Sequence, residues 1–385
     1  MPGLRQLPHH DVGRAGVGAT SLHACLDAQV PLSRDTILAA RRLTTIMAPV
    51  ALSRAERSYV LDGLCASPAQ RSDGRGLRDV RPIQLESSMS QQADGSARVV
   101  LGSTEVMCGI KAEVESYLCP HVGLEQDGEP SQQRFAPWLP PRPRIEVLVE
   151  YSPALLHEHS APELGMITGT VQDMVQACFA PYGDKIGPFD ARQFVVVPYA
   201  KFWRLYLDVY VLSWSGGNVL DAVFAAVFSA LWDVRIPVTQ ALSIDRASQG
   251  VSTDATDPAG MKFLTRGRQA TGGAASSASS GTVTQAVDFA LTSEWDDGHT
   301  LYGREEVPVC VSVYPVQGTF LLDPTLEEES ALSSSVVVFA SQSGRVYGVR
   351  QRGDASLSLS AVHEATDIGV YYARQLAQTL QGFLS

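Results

Sequence analysis

The sequence predicts an α+β fold of two similar halves, each built from β-hairpins and closed by a helix. The first observation behind this is that alternating apolar strands, tight-turn residues and then a helical apolar run occur twice, once on each side of a polar, low-complexity stretch. The second is composition: 385 residues with 45% hydrophobic content can bury a sizeable core.

Taken in order, residues 1 to 46 lack any long periodic pattern, and MAPVALSRAERSYVLDGL begins afresh at Met47. Arg5, Arg14, Arg34, Arg41 and Arg42 suit a transit peptide, but Asp11, Asp27 and Asp35 argue against one. A disordered extension or a misassigned start codon is the expectation. Ser53 with Glu56 three residues later makes a capping box, and Val60, Leu61 and Leu64 give the following helix its apolar face. RSDGRGLRDVRPIQLE reads as a turn-rich arm entering a strand, and SARVVLGSTEVMCGIKAEVES as a hairpin. In its second strand Val106, Cys108, Ile110, Ala112 and Val114 share one face, and Met107, Lys111 and Glu113 the other. A Pro-rich surface loop, HVGLEQDGEPSQQRFAPWLPPRPR, precedes the strand IEVLVEYSP. Glu163 to Phe179 is helical by spacing, with Leu164, Ile167, Val171, Val175 and Ala177 as inward positions, although Gly165 and Gly169 weaken it.

LDVYVLSWSGGNVLDAVFAAVFSAL, from Leu207 to Leu231, then runs strand, glycine turn, helix. That layout places backbone N–H groups and a helix N-terminus around a phosphate. It equally serves as a tight turn between two core elements. RIPVT leads into residues 245 to 283, too polar to pack and read as a flexible insertion. Order returns with hairpins turning at Gln317-Gly318 and Ser343-Gly344. A final helix near 361 to 384 has Ile368, Tyr371, Tyr372, Leu376, Leu380 and Phe383 close to helical spacing. The expected organisation is an extension (1–46), a first half with its arm (47–244), the insertion (245–283) and a second half (284–385).

A net charge of −11 leaves any nucleic-acid contact to local patches or to a more basic partner. The six cysteines form no CxxC pair, which fits reduced thiols in an intracellular protein rather than a metal or disulfide framework. His121, His157 and His159 have no metal-ligand spacing. No apolar run reaches the ~18 residues that a membrane helix needs.

Three separated segments together resemble one family: RSDGRGLRDVRPIQLE, LYLDVYVLSWSGGNVLDAVFAAVFSAL and CVSVYPVQGTFLLDPTLEEES. In this order and spacing, from about Leu52 to the C-terminus, they look like the RNase PH family of phosphorolytic exoribonucleases. They look most like the non-catalytic ring subunits of the eukaryotic RNA exosome. The resemblance implies the RNase PH-like fold (the second domain type of ribosomal protein S5) and a six-membered ring through which RNA threads. It further implies partners: other RNase PH-like subunits, RNA-binding caps above, and a hydrolytic nuclease. No cofactor or metal is implied, and the expected location is nucleus, nucleolus and cytoplasm.

Carried over residue by residue, the resemblance argues against catalysis. Active members follow Gly216-Gly217 with a threonine and an arginine that hold phosphate; here stand Asn218 and Val219, and Ser215 replaces a preceding aspartate. Of two family aspartates, one is retained as Asp323 and the other falls on Glu329, beside Glu327 and Glu328. The competing reading is a solvated acidic turn that caps the next element. The helix at Glu163 to Phe179 carries no Lys or Arg, where active members grip RNA with arginines. The expected function is a structural ring subunit supporting 3′-to-5′ RNA processing, including ribosomal RNA maturation. The rival is a working exoribonuclease using Asp323 and Glu329, which needs a cation near Asn218 from elsewhere, such as Lys201 or Arg204.

Arg71, Arg75, Arg78 and Arg81 form the densest basic run, and Asp73-Gly74-Arg75 matches an arm that leans on a ring neighbour in this family. A subunit interface or an RNA contact follows from it. Lys111, and the trio Arg345, Arg350 and Arg352, are read as solvated or as touching RNA. Tyr206, Tyr210 and Trp214 alternate along a strand, which favours packing over base stacking.

Overall fold

The protein is described by a computed structural model covering residues 52–116, 144–158, 161–182, 184–197, 200–243, 286–292 and 298–385. The extension before Met47, the insertion at 245–283 and most of the Pro-rich loop lie outside these residues. Helix α1 (Arg54–Cys65) starts on the expected capping box, with Ser53 and Glu56 bonding reciprocally. The first sheet collects β1 (Ile83–Ser87), β2 (Gly95–Leu101), β3 (Thr104–Ser116) and β4 (Ile145–Tyr151). After β4 come α2 (Pro153–Glu158) and α3 (Ala161–Cys178). A small antiparallel trio follows: β5 (Pro181–Tyr182), β6 (Lys185–Ile186) and β7 (Phe189–Asp190). The chain re-enters the first sheet through β8 (Val195–Val197) and the long β9 (Lys201–Trp214). The strand order is β1-β2-β3-β9-β4, with β8 also on β9; β4 runs parallel to β9 and the other pairs are antiparallel.

Helix α4 (Val219–Asp233) lies against β2 and β3 on one side and the second sheet on the other. A helix apolar on every side belongs in such a position, and nearly all of its residues are buried. Beyond it run β10 (Arg235–Ile236), β11 (Thr239–Ser243), β12 (Ala286–Leu291) and β13 (His299–Thr300). Strands β11 and β12 pair antiparallel, so Ser243, where the chain leaves for the insertion, faces Ala286, where it returns.

The second half is a four-stranded antiparallel sheet, β15-β14-β16-β17, from β14 (Val309–Val316), β15 (Thr319–Leu322), β16 (Ser334–Ala340) and β17 (Val346–Gly353). Its hairpins turn where expected, with positive φ at Gln317, Gly318 and Gly344. The short α5 (Leu326–Ala331) lies between β15 and β16, and α6 (Leu359–Leu384) packs on β14 and β16.

Two helix faces differ from expectation. In α3 the face is completed by Met174 and Cys178, while Ala177 is exposed, because the helix rolls its larger side chains onto β4. In α6 the buried stripe is Ala365, Gly369, Ala373, Ala377 and Leu380, and the aromatic Tyr371 and Phe383 lie largely exposed. Small residues win the inner face because the helix sits so close to the sheet. A Cβ on Gly369 would stand 2.6 Å from Val338 Cγ2.

That contact sets up a paired prediction. Gly169, in the middle of α3, has open space around it, so Gly169→Ala raises stability by roughly 1 kcal/mol through helix propensity alone. Gly369→Ala loses stability, because overpacking of ~1–3 kcal/mol outweighs the same gain. Urea denaturation of the two variants should move the midpoint in opposite directions.

Candidate functional site

The glycine turn after β9 owes its composition to crowding. A Cβ on Gly216 would meet Thr104 N at 2.8 Å, and one on Gly217 would meet Leu326 N at 2.7 Å. Gly217 also has φ +72°, and Thr104 Oγ1 donates to its carbonyl at 2.6 Å. The turn is wedged between the β2–β3 connection and the start of α5, so only glycines fit. Asn218 follows with φ 53°, a left-handed conformation that asparagine tolerates better than most residues.

The α4 N-terminus begins here, and it already has its anion. The Asn218 backbone N–H donates to Glu329 Oε2 at 3.0 Å. Tyr314 Oη donates to Glu329 Oε1 at 3.1 Å, and Arg352 Nη2 stands 3.9 Å from the same oxygen. Burial, followed by the neighbouring Glu329 charge, holds the Tyr314 hydroxyl well above the usual tyrosine range. Glu329 is therefore a buried internal ligand of the turn. Val219 is buried in the core and Ser215 is exposed, reaching the Ser103 carbonyl at 3.2 Å and the Ser213 hydroxyl at 3.4 Å.

Asp323 is the hub of the site. It is 3% exposed, with φ 45°. Arg81 grips it bidentately, Nε to Oδ2 at 2.9 Å and Nη2 to Oδ1 at 2.6 Å, and the Arg81 backbone N–H adds 2.8 Å to Oδ2. Arg75 Nη1 donates to Oδ2 at 2.7 Å and Asn218 Nδ2 to Oδ1 at 3.0 Å. A carboxylate offers about four lone-pair positions, so this one is filled. Burial raises its pKa, but the Arg81 hydrogen bonds and charge outweigh it and hold the carboxyl below the usual range. Such a group is held ionised, with neither a proton to give nor a lone pair to spare for Mg²⁺.

The arm is pinned by Arg71, whose side chain is fully buried. Its Nε and Nη2 fork onto Glu328 at 2.9 and 2.7 Å, and Nη2 also reaches the Asp323 carbonyl at 2.8 Å. Glu328 in turn completes a capping box with Thr325 at the start of α5. The solvated acidic turn expected at 327–329 is corrected accordingly: it caps, but Glu328 and Glu329 point inward. The interface or RNA role expected of Arg71 is corrected too, since no surface remains on its side chain. Arg75 is bound within the chain through Asp323 and Asp73, while Asp73 stays partly open and Gly74 is exposed at φ +75°.

Lys201 and Arg204 belong elsewhere. They pair with Asp288, and with Glu115 and Glu146, at the opposite end of β9 from the turn. The cation beside the turn is Arg81, whose Nη1 donates to the Gly216 carbonyl at 2.6 Å. Lys111 is half-exposed on the polar face of β3, 3.4 Å from Asp94. Arg352 is buried against Glu329, unlike the solvated reading. Trp214 is core, stacked on Tyr151 with ring centres 6.1 Å apart. The sequence reading missed Asp221. It accepts from Ser312 Oγ at 2.8 Å, Ser312 N–H at 3.1 Å and Asn218 Nδ2 at 3.1 Å, and burial pushes its carboxyl up to about 6. Its signal was an acid in the first turn of an otherwise apolar helix.

Two outcomes follow from this cluster. Arg81→Ala strips the bidentate partner from a buried carboxylate and should cost about 3–5 kcal/mol in denaturant unfolding. The folded Asp323 is the stronger acid, so the folded state binds fewer protons. Its stabilising contribution is complete above the ordinary aspartate pKa, near 3.8, and drains as the pH falls below that value. Acid titration of stability should be shallower there in Asp323→Asn than in the parent.

Comparison with known proteins fits this geometry. The model of the 3′ exoribonuclease family, domain 1, matches residues 79–237, and that of domain 2 matches 306–370. The chain is 22% identical over 308 residues to "Exosome complex component Rrp42" of Methanosarcina acetivorans, covering 80% of this chain and 87% of that protein. It is 24% identical to the protein of the same name from Saccharolobus solfataricus, covering 82% and 90%. Among solved structures it resembles a chain of "Archaeal exosome core" with a TM-score of 0.54 at 19% identity, covering 85% of this chain and 96% of that one. A chain of "archaeoglobus fulgidus exosome with RNA bound to the active site" gives 0.55 at 20%, covering 84% and 97%. With both domain models matched in order across more than half its length, the chain belongs to the RNase PH family of 3′ exoribonucleases.

Proposed function

We propose that this chain is a non-catalytic ring subunit of an RNA exosome core, lending shape and surface to 3′-to-5′ RNA processing, ribosomal RNA maturation included. The exosome part is supported by relatives that carry the name of an exosome component and align over nearly their whole length. The inert part rests on one observation above the others: the groups that would work on phosphate are bonded to each other. Asp323 is filled by Arg75, Arg81 and Asn218, and the Asn218 N–H is taken by Glu329. Valine at 219 supplies neither a charge nor a donor for an incoming phosphate.

In this reading the partners are RNase PH-like subunits on either side, RNA-binding caps above and a hydrolytic nuclease on the assembly. RNA passes through the channel with little grip from this chain, since α3 carries no Lys or Arg. The proposed location is nucleus, nucleolus and cytoplasm.

Native mass spectrometry of the tagged chain, purified gently from its own cells, tests the assembly: a mixed complex of different chains is expected, and a homohexamer would overturn it. For the chemistry, the purified chain given Mg²⁺, phosphate and RNA should release no nucleoside diphosphate. The double variant Asn218→Thr, Val219→Arg should stay equally silent, because Glu329 still occupies the turn.

A further inference from the structure

Beside the Asp323 cluster, which forms part of its wall, a cavity of about 780 Å³ opens between the two halves. It lies within the range of small-ligand sites. Its walls come from both halves: Val99 and Leu101 of β2, Ala222 and Ala225 of α4, Val311 of β14 and Leu376 of α6. Tyr372 and Phe383 of α6 add aromatic surface. Two polar lining residues near the start of α4 each lack a partner, one a hydrogen-bond donor and the other a counter-charge.

The first is Asn218, only 2% exposed. Its amide nitrogen is held by Asp221 at 3.1 Å and Asp323 at 3.0 Å, which fixes the orientation of the amide. The oxygen, Oδ1, is left buried with no hydrogen-bond partner. Buried polar atoms without a partner are few in folded proteins and each calls for a cause. The second is Asp221, whose carboxylate receives hydrogen bonds from Ser312, Asn218 and the Cys310 thiol but pairs with no cation among the described residues.

Charge around the cavity points the same way. The charged lining residues are Arg78, Arg81, Asp79, Asp221 and Asp323. Arg81 is committed to Asp323 by a bidentate pair, and Arg78 and Asp79 are adjacent, exposed and opposite in sign. Asp221 is the uncompensated charge. An isolated carboxylate out of water is costly until a cation or a neutralising proton meets it.

We propose that this cavity binds a protonated amine or guanidinium on an apolar stem, with the Asp221 carboxylate facing the cation and the unpaired Asn218 Oδ1 just beneath adding its negative dipole. The aliphatic part lies along Val99, Leu101, Val311 and Leu376, and the rings of Tyr372 and Phe383 suit a cation at the mouth. The same chemistry comes from a free small molecule or from a Lys or Arg side chain of a neighbouring protein.

Isothermal titration calorimetry of the full-length chain with n-butylguanidinium is the test, with n-butanol as the uncharged control. One-to-one binding of the guanidinium and none of the alcohol is expected. Asp221→Asn should weaken it at least tenfold. Ala225→Leu, which fills the cavity without touching the polar groups, should weaken it as well and guards against a folding defect in the first variant. No heat with the parent chain, or equal affinity in Asp221→Asn, would overturn the proposal. Repeating the titration on the assembled complex separates the sources: a cavity still open to the probe indicates a small-molecule site. A cavity closed in the complex but open in the free chain indicates a partner's side chain.

Discussion

One buried carboxylate holds the molecule's parts in place. Asp323 directly follows β15 in the second half, Arg75 and Arg81 come from the arm before the first sheet, and Asn218 opens the central helix. None of these elements is near another in sequence, yet all donate to the same two oxygens. A buried ion pair carries a desolvation cost that good geometry only just offsets, so its role is specification more than net stability. It defines where the arm lies, how the glycine turn sits under α5, and which side of α4 meets the second sheet.

Function follows from what that arrangement consumes. The layout of strand, glycine turn and helix is suited to an anion, and the chain provides one itself in Glu329. Arg81, the cation beside the turn, spends its donors on the Asp323 carboxylate and the Gly216 carbonyl, so they are not aimed at an incoming phosphate. In the proposed reading the chain keeps the fold of its family while these polar groups face each other rather than a substrate.

Much of the fold was legible in the sequence because its signals are local. Alternation in β3, the capping box at Ser53 and the turns at Gln317-Gly318 and Ser343-Gly344 each need only neighbours to be read. The inner face of α6 was not legible. Its aromatic residues dominate any hydropathy count, whereas the close approach to Val338 that selects Gly369 is a property of the tertiary packing. The site divides in the same way. Asn218, Val219, Asp323 and Glu329 stood out by type, but the partners of Asp323 lie more than a hundred residues away in the chain. Arg71 shows the limit most plainly: a basic run reads as surface, and only the fold reveals the buried Glu328 that it serves.

The pairing of β11 with β12 has a consequence of a different kind. Because Ser243 and Ala286 are held as partners by the strands themselves, the ends of whatever chain runs between them are already closed by the fold. Extending such a closed loop costs little, about 0.6 kcal/mol per doubling of its length. The strand pair is thus a grafting point, at which sequence can be lengthened, shortened or exchanged while the sheets and the Asp323 hub keep their geometry.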